Sequence, residues 1–299
     1  MERPVPSDLH DLRRRRGRRP GKVAAPYALL APGGLWLLIL FIVPMIAMAS
    51  VALQEGSALE GYRLTWHVAN FSDAISQYWV YLIRSLRNGA IVTIVALLLA
   101  YPIAYWIAFH GGRFKSLFLF LLLLPFFISF VIRTVSWSFI LADSGIVFGT
   151  LKDIGLLPER FRVLGTTFAV VAGITYNLLP FTILPLYVSL ERIDRSLVEA
   201  AKDLYASKTE AFRKVVLPLS MPGVFAAILL TSIPATGDYV NAYVLGGPGT
   251  AMIGNQIQLE FLRAREYPTA AALAFILMAI MLVGAILYAR VLGTEEVTT

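Results

Sequence analysis

The chain has 299 residues, 58% of them hydrophobic and 15% charged, with 26 Lys and Arg against 19 Asp and Glu for a net charge of +7. With a mean hydropathy of +0.70, it lies outside the range of a soluble globular domain. That composition reads as an integral membrane protein, and the absence of cysteine separately excludes disulfides, thiolate metal sites and thiol catalysis.

The first segment, residues 1–27, carries the basic run "DLRRRRGRRPGK". An arginine run can neutralise nucleic-acid phosphates. Placed just before a first span, however, it is an ordinary topological anchor that can rest on anionic membrane lipids; no nucleic-acid partner is expected. Six apolar runs follow, at 28–53, 85–109, 116–141, 165–190, 218–240 and 269–290. Each is about the twenty residues a helix needs to cross the hydrocarbon. Stretches such as "AIVTIVALLLAYPIAYWIAF" lack the alternation of barrel strands, so six transmembrane helices in an all-α fold are expected. The first run is too long and too late, and lacks the small-residue cleavage site, to be a removable signal. Residues 28–290 make one transmembrane domain, and residues 1–27 and 291–299 are tails, the first disordered. Arg113, Lys115, Arg192, Arg195, Lys202, Lys208, Arg213 and Lys214 fall on the same side as the basic tail, which makes both termini and the loop 191–217 cytoplasmic.

That loop is polar within an oily chain. Ser196 stands three residues before Glu199, and Ser207 three before Glu210, a spacing that matches two capping boxes. They predict two short helices, about 197–205 and 208–217, broken around Tyr205, with Pro218 and Pro222 opening the fifth span. Leu197, Ala201, Leu204 and Tyr205 share one face of the first helix; Ala211, Phe212, Val215 and Val216 share one face of the second. Such a hairpin is too short to stand alone in water. Its apolar faces either fold back on the chain's own spans or dock a cytosolic partner.

The stretch "EAAKDLYASKTEAFRKVVLP" resembles the EAA loop of permease subunits in ATP-binding-cassette importers. Glu199, Ala200, Ala201, Leu217 and Pro218 match that pattern by identity and spacing, Val215 stands in for isoleucine, and Tyr205 replaces the usual glycine. The likeness runs from about residue 25 to 290. It includes "LPFFISFVIRTVSWSFIL", "YNLLPFTILPLYVSLERID" and "VLGGPGTAMIGNQI", which are similar to permeases for spermidine and putrescine and to relatives for ferric iron, opines and similar solutes. The resemblance implies a type I importer permease fold with a MetI-like core in a bacterial inner membrane. It implies a second permease, usually a different chain, a cytosolic dimer of ATPase subunits and an extracytoplasmic solute-binding protein. The hairpin would then be the coupling element seated on the ATPase. The chain is read as a transport subunit and not an enzyme: "GGPGTA" at 246–251 lacks the Lys and Ser/Thr of a phosphate-binding loop, so ATP and magnesium belong to the partner.

Candidates for the solute pathway come from polar and aromatic residues at membrane depth: Arg133, Trp137, Tyr176, Asn177, Asp238 and Tyr239. Charge within a span is expensive and usually faces the interior, so Arg133 and Asp238 either line the path, pair with each other, or snorkel to the surface. The aromatic rings can wall a cation path or anchor the interface. Ser and Thr at this depth usually bond their own or a neighbouring helix. His10, His67 and His110 are scattered and form no catalytic constellation. A secondary transporter or channel is the reading from a different class, and it has no use for a capped hairpin of this pattern.

Overall fold

The computed structural model describes residues 21–293, so the expectations for residues 1–20 and 294–299 lie outside the described residues. Two compact units divide at Val51 and Ala52. The first holds nearly all of α1 (Gly21–Ala52), whose side chains from Leu30 to Pro44 are exposed.

The second unit begins with an antiparallel hairpin, β1 (Gln54–Ser57) and β2 (Gly61–Leu64), pairing Gln54 with Leu64 and Ser57 with Gly61. It was not expected from the apolar pattern. Gly56 permits it: its φ is +133°, and a Cβ there would strike the Gly61 carbonyl oxygen. Helix α2 (Ala69–His110) spans 42 residues, about 63 Å at helical rise, and starts well before the expected 85. No proline or glycine breaks the polar lead-in, and the buried positions Ala74, Tyr78, Leu82, Ser85, Gly89, Val92, Ala96, Ala100 and Ala104 recur every three or four residues through both parts.

Most of that stripe is small, which lets helix backbones approach closely in a membrane. At Gly89 an added Cβ would collide with the Thr236 hydroxyl. Helix α2 packs against α6 (Thr167–Glu191) and α9 (Leu217–Gly237), and these two pack on each other. One part of the resulting core gathers Ala100, Ala104, Ile183, Leu186, Leu190, Val216 and Ala227, and another gathers Val92, Val170, Ile174, Leu178 and Ala235. The last span, α12 (Tyr267–Gly293), lies against α2. Large apolar side chains such as Trp79, Leu98, Phe168, Leu230 and Leu282 point outward, as the lipid-facing side of a bundle requires.

Two expected spans are corrected. The third, 116–141, is broken into α3 (Lys115–Leu123), a 3-10 turn Leu124–Phe127 and α4 (Phe130–Leu141). Pro125 lacks the N–H for a continuous ladder, and Ile128 and Ser129 turn extended, with ψ of 138° and 134°. The stretch long and apolar enough to cross here is Phe130–Asp153, which joins α4 to α5 (Ile146–Asp153). The fifth span does not open at Pro218. Helix α8 (Lys208–Ala211) runs through a π-turn, Phe212–Val216, directly into α9, giving one 30-residue helix, Lys208–Gly237. The π-turn, closed by the Leu217 N–H on the Phe212 carbonyl, lets Pro218 enter without a break.

Candidate functional site

Two regions carry the predicted site residues. The first is the hairpin after α6. Its leading helix, α7 (Arg195–Asp203), is capped by Asp194, whose carboxylate accepts from the Ser196 N–H at 2.9 Å. The hydrogen bonds from Ser196 hold the Asp194 carboxyl below its usual range. This corrects the capping box expected between Ser196 and Glu199: the helix starts two residues earlier, and an aspartate caps as well as a serine. Glu199 and Ala200 therefore lie exposed within the helix and Ala201 half-buried. The base of α7 is fixed to the bundle, because Arg195 Nη2 donates to the Ala108 carbonyl at 3.1 Å and its guanidinium lies over Phe109. Beside it Lys115 pairs with Glu191 at 2.7 Å.

The break between the arms keeps the backbone that glycine would adopt. Tyr205 has φ +63°, its N–H bonds the Lys202 carbonyl at 2.9 Å, and the Ala206 N–H bonds the Ala201 carbonyl at 3.0 Å. These are the two bonds of a Schellman turn with Tyr205 in the left-handed position, where a non-glycine residue costs about 1–2 kcal/mol. Among the described residues nothing packs on the tyrosine to offset this: it is 98% exposed, beside Leu204 at 82%.

The second arm behaves differently. Ser207 and Glu210 form the expected capping box, with the Glu210 N–H on Ser207 Oγ at 3.2 Å and the Ser207 N–H on Glu210 Oε2 at 2.9 Å. Ala211 and Val216 are buried, and Phe212 meets the rings of Tyr101 and Tyr105 edge-on, both at 5.7 Å. Leu217 is half-buried at the start of α9 and Pro218 is exposed. Of the two alternatives for the apolar faces, folding back describes the second arm, and the far end of the first arm, Leu204 and Tyr205, is left uncovered.

The second region lies where α4, α6 and the end of α9 meet a short helix, α10 (Val240–Val244). The Asn177 amide donates to Thr134 Oγ1 at 3.2 Å and to Asn241 Oδ1 at 3.1 Å. The Asn241 side-chain amide donates to Asp238 Oδ2, and its backbone N–H to Asp238 Oδ1, both at 2.8 Å. Asp238 thus terminates α9, and from one residue ahead of the N-cap Tyr239 its carboxylate holds the Asn241 amide in the first turn of α10. No ion pair joins it to Arg133 among the described residues. Arg133 is buried and, among the described residues, takes part in no ion pair.

The six pathway candidates do not share one chamber. Arg133 and Asn177 line a cavity of about 350 Å³. Trp137 and Tyr176, with ring centroids 5.4 Å apart, line an apolar cavity of about 580 Å³. Tyr239 is exposed, and its carbonyl accepts from Asn255. Thr134 and Asn241 were missed in the sequence; the Asp-x-x-Asn spacing of 238–241, that of a helix cap, was the signal for the latter. Thr182 and Thr231 bond each other at 2.8 Å, as do Tyr101 and Ser220, the ordinary helix-to-helix role for such hydroxyls.

A broken third span, a three-helix core and a hairpin continuous with a long helix describe a helical membrane bundle with one polar helical hairpin. The chain belongs to the family of binding-protein-dependent transport system inner membrane components, whose model matches residues 96–292. Among its relatives, the spermidine/putrescine transport system permease protein PotB of Haemophilus influenzae is 35% identical over 253 residues, covering 83% of this chain and 88% of that protein. PotB of Escherichia coli K12 is 32% identical, covering 82% and 90%. The inner membrane ABC transporter permease protein YdcU of Escherichia coli K12 is 33% identical, covering 68% and 67%. A chain from the crystal structure of a bacterial ABC transporter that imports alginate superposes with a TM-score of 0.68 over 93% of this chain and 98% of its own, at 19% identity, which establishes the shared fold. With six described helical stretches long and apolar enough to cross a bilayer, the chain is a multi-pass membrane protein.

Proposed function

We propose that this chain forms half of the translocation path of an importer for polyamines such as putrescine and spermidine, working in a bacterial inner membrane with both termini and the 194–217 hairpin in the cytoplasm. Two ATPase subunits, which bind ATP and magnesium, sit on the hairpin; a second permease completes the path; a binding protein delivers solute from outside. The basic tail supports this orientation.

The observation that carries the reading is the uncovered far end of the first arm, with its strained and fully exposed tyrosine. Strain persists where function retains it, and a large aromatic beside a leucine is the anchor a protein partner buries. Polyamine as solute is supported by the PotB relatives and by the carboxylate of Asp238, a cation-attracting group that the sequence places in an otherwise apolar segment.

The test uses the complete transporter. Tyr205→Gly relieves the turn and removes the anchor, so less ATPase co-purifies and binding-protein-stimulated ATP hydrolysis falls. Undiminished docking would reduce the tyrosine to a tolerated deviation. Uptake of labelled putrescine, competed with unlabelled spermidine, a ferric chelate and an opine, decides the solute. Asp238→Asn, which keeps one acceptor for Asn241, should weaken uptake of the dication; unchanged apparent affinity would leave Asp238 with its capping role alone.

A further inference from the structure

Arg133 lies in the first turn of α4 and is 8% exposed, yet its Nε and Nη1 have no hydrogen-bond partner. Its guanidinium stands 5.6 Å from the Phe126 ring and lines the cavity of about 350 Å³ with Phe127, Phe181, Leu178 and Asn177. Around the mouth, Phe127 is 84% exposed, and Ile128, Val131 and Ile132 are also exposed. A buried guanidinium with unmet donors is costly at membrane depth. Asp238, the acidic residue the sequence suggests as its partner, forms no ion pair with it among the described residues and instead holds Asn241.

Three sources of negative charge can be weighed. A polyamine carries none and is repelled by a bare guanidinium. A lipid phosphate would have to reach the guanidinium from the headgroup layer, whereas Arg133 is 8% exposed and walled by Phe126, Leu178 and Phe181. A protein carboxylate suits both the charge and the surroundings, since a buried arginine ringed by exposed apolar side chains has the anatomy of an interface hot spot. We infer that this cavity receives an Asp or Glu side chain of the second permease subunit, carried on an otherwise apolar helix that covers the Phe127–Ile132 surface. The inference rests on the importer reading for the existence of that subunit. It also removes the cation that would oppose a polyamine, because the arginine is neutralised on assembly.

The experiment co-expresses this chain, tagged, with its second permease, ATPase and binding protein, and measures how much second permease is retained in detergent. Arg133→Gln should lower retention at least about tenfold, since it strands the partner's carboxylate, and Arg133→Lys should lower it less. Among the membrane-depth Asp and Glu residues of the second permease, one changed to its amide should give the same loss. Combined with Arg133→Gln, that change should restore retention, because two neutral side chains strand no charge. This rescue separates a lost pair from a misfolded chain.

Full retention with Arg133→Gln, or the absence of any rescuing position, overturns the inference. So does intact assembly in which Arg133→Gln abolishes competition by 4-aminobutanoate for putrescine uptake, which would assign the cavity to a carboxylated solute. Loss of retention in wild type on depleting phosphatidylglycerol, with no rescuing position, would assign it to lipid and also overturn it. If the wild-type chain retains neither second permease nor ATPase, the importer reading itself falls and takes the inference with it. Retention of both with no effect of Arg133→Gln sinks the inference alone.

Discussion

The two arms of the hairpin are similar in length and in their mixture of alanine, charge and a few large apolar residues, yet one is stitched into the bundle and the other is bare at its far end. Phe212 and Val216 of the second arm enter the core built on Ala100 and Ala104, while Leu197, Leu204 and Tyr205 of the first face outward. Amphipathicity alone therefore does not decide which face a chain covers itself. What differs is attachment: the second arm continues into a span, which fixes its rotation, whereas the first is fixed at its base by Asp194 and Arg195 and points its far end away.

The largest effect that sharpens this contrast is expected at Phe212. Phe212→Ala removes a ring held between two tyrosines and should cost about 3 kcal/mol, read as a lower melting temperature of the purified chain in detergent. If the melting temperature does not move, the second arm is not part of the core. The mirror change, Leu204→Ser with Tyr205→Ser, should leave that melting temperature nearly unchanged while weakening ATPase binding by about 2 kcal/mol or more, some thirtyfold in affinity. A change in the opposite pattern, stability lost and docking kept, would reverse the assignment of the two arms.

Smaller effects test the helix starts. Ser207→Ala should destabilise the second arm by about 1 kcal/mol, visible as faster hydrogen exchange at the Glu210 amide. Glu199→Ala should leave exchange in α7 unaltered, because Asp194 holds that helix start, and should act on ATPase docking alone. Accelerated exchange at the start of α7 in this variant would restore the capping role that the sequence suggested. The least effect is expected from pH. The Asp194 carboxyl titrates below its ordinary value, so its capping contribution is complete above the unfolded value and is lost only as pH falls through the lower folded one. Protection of the Ser196 amide should therefore persist through the ordinary carboxylate range, and loss within that range would show the cap to be weaker than its geometry.

The sequence made the six-span count and the hairpin legible because both are written in long-range periodicity and in caps with strict spacing. It was less informative where two local signals compete. Asp194 and Ser196 are both good caps, and the sequence contains nothing that ranks them; the bond from Arg195 to the Ala108 carbonyl, a tertiary contact, is what fixes the base of the helix. Pro125 and Pro218 carry the same local signal, but one breaks its span and the other does not. The difference lies in the π-turn ahead of Pro218, a backbone adjustment without a residue signature. The polar string from Thr134 to Asp238 joins residues far apart in the chain, so Asn177 and Asp238 were visible singly while Thr134, Asn241 and the assembly were not.

The uninterrupted helix from Lys208 to Gly237 has a mechanical consequence. At about 45 Å it is a strut with one end inside the hairpin and the other at Asp238, whose carboxylate holds Asn241 and through it Asn177. A strut with no flexible joint at Pro218 delivers a push or twist at the hairpin to that hydrogen-bonded string, with the π-turn as the place where it can yield. Stiffening that turn and loosening it would then change how faithfully the two ends move together, even though neither change would touch a residue at either end.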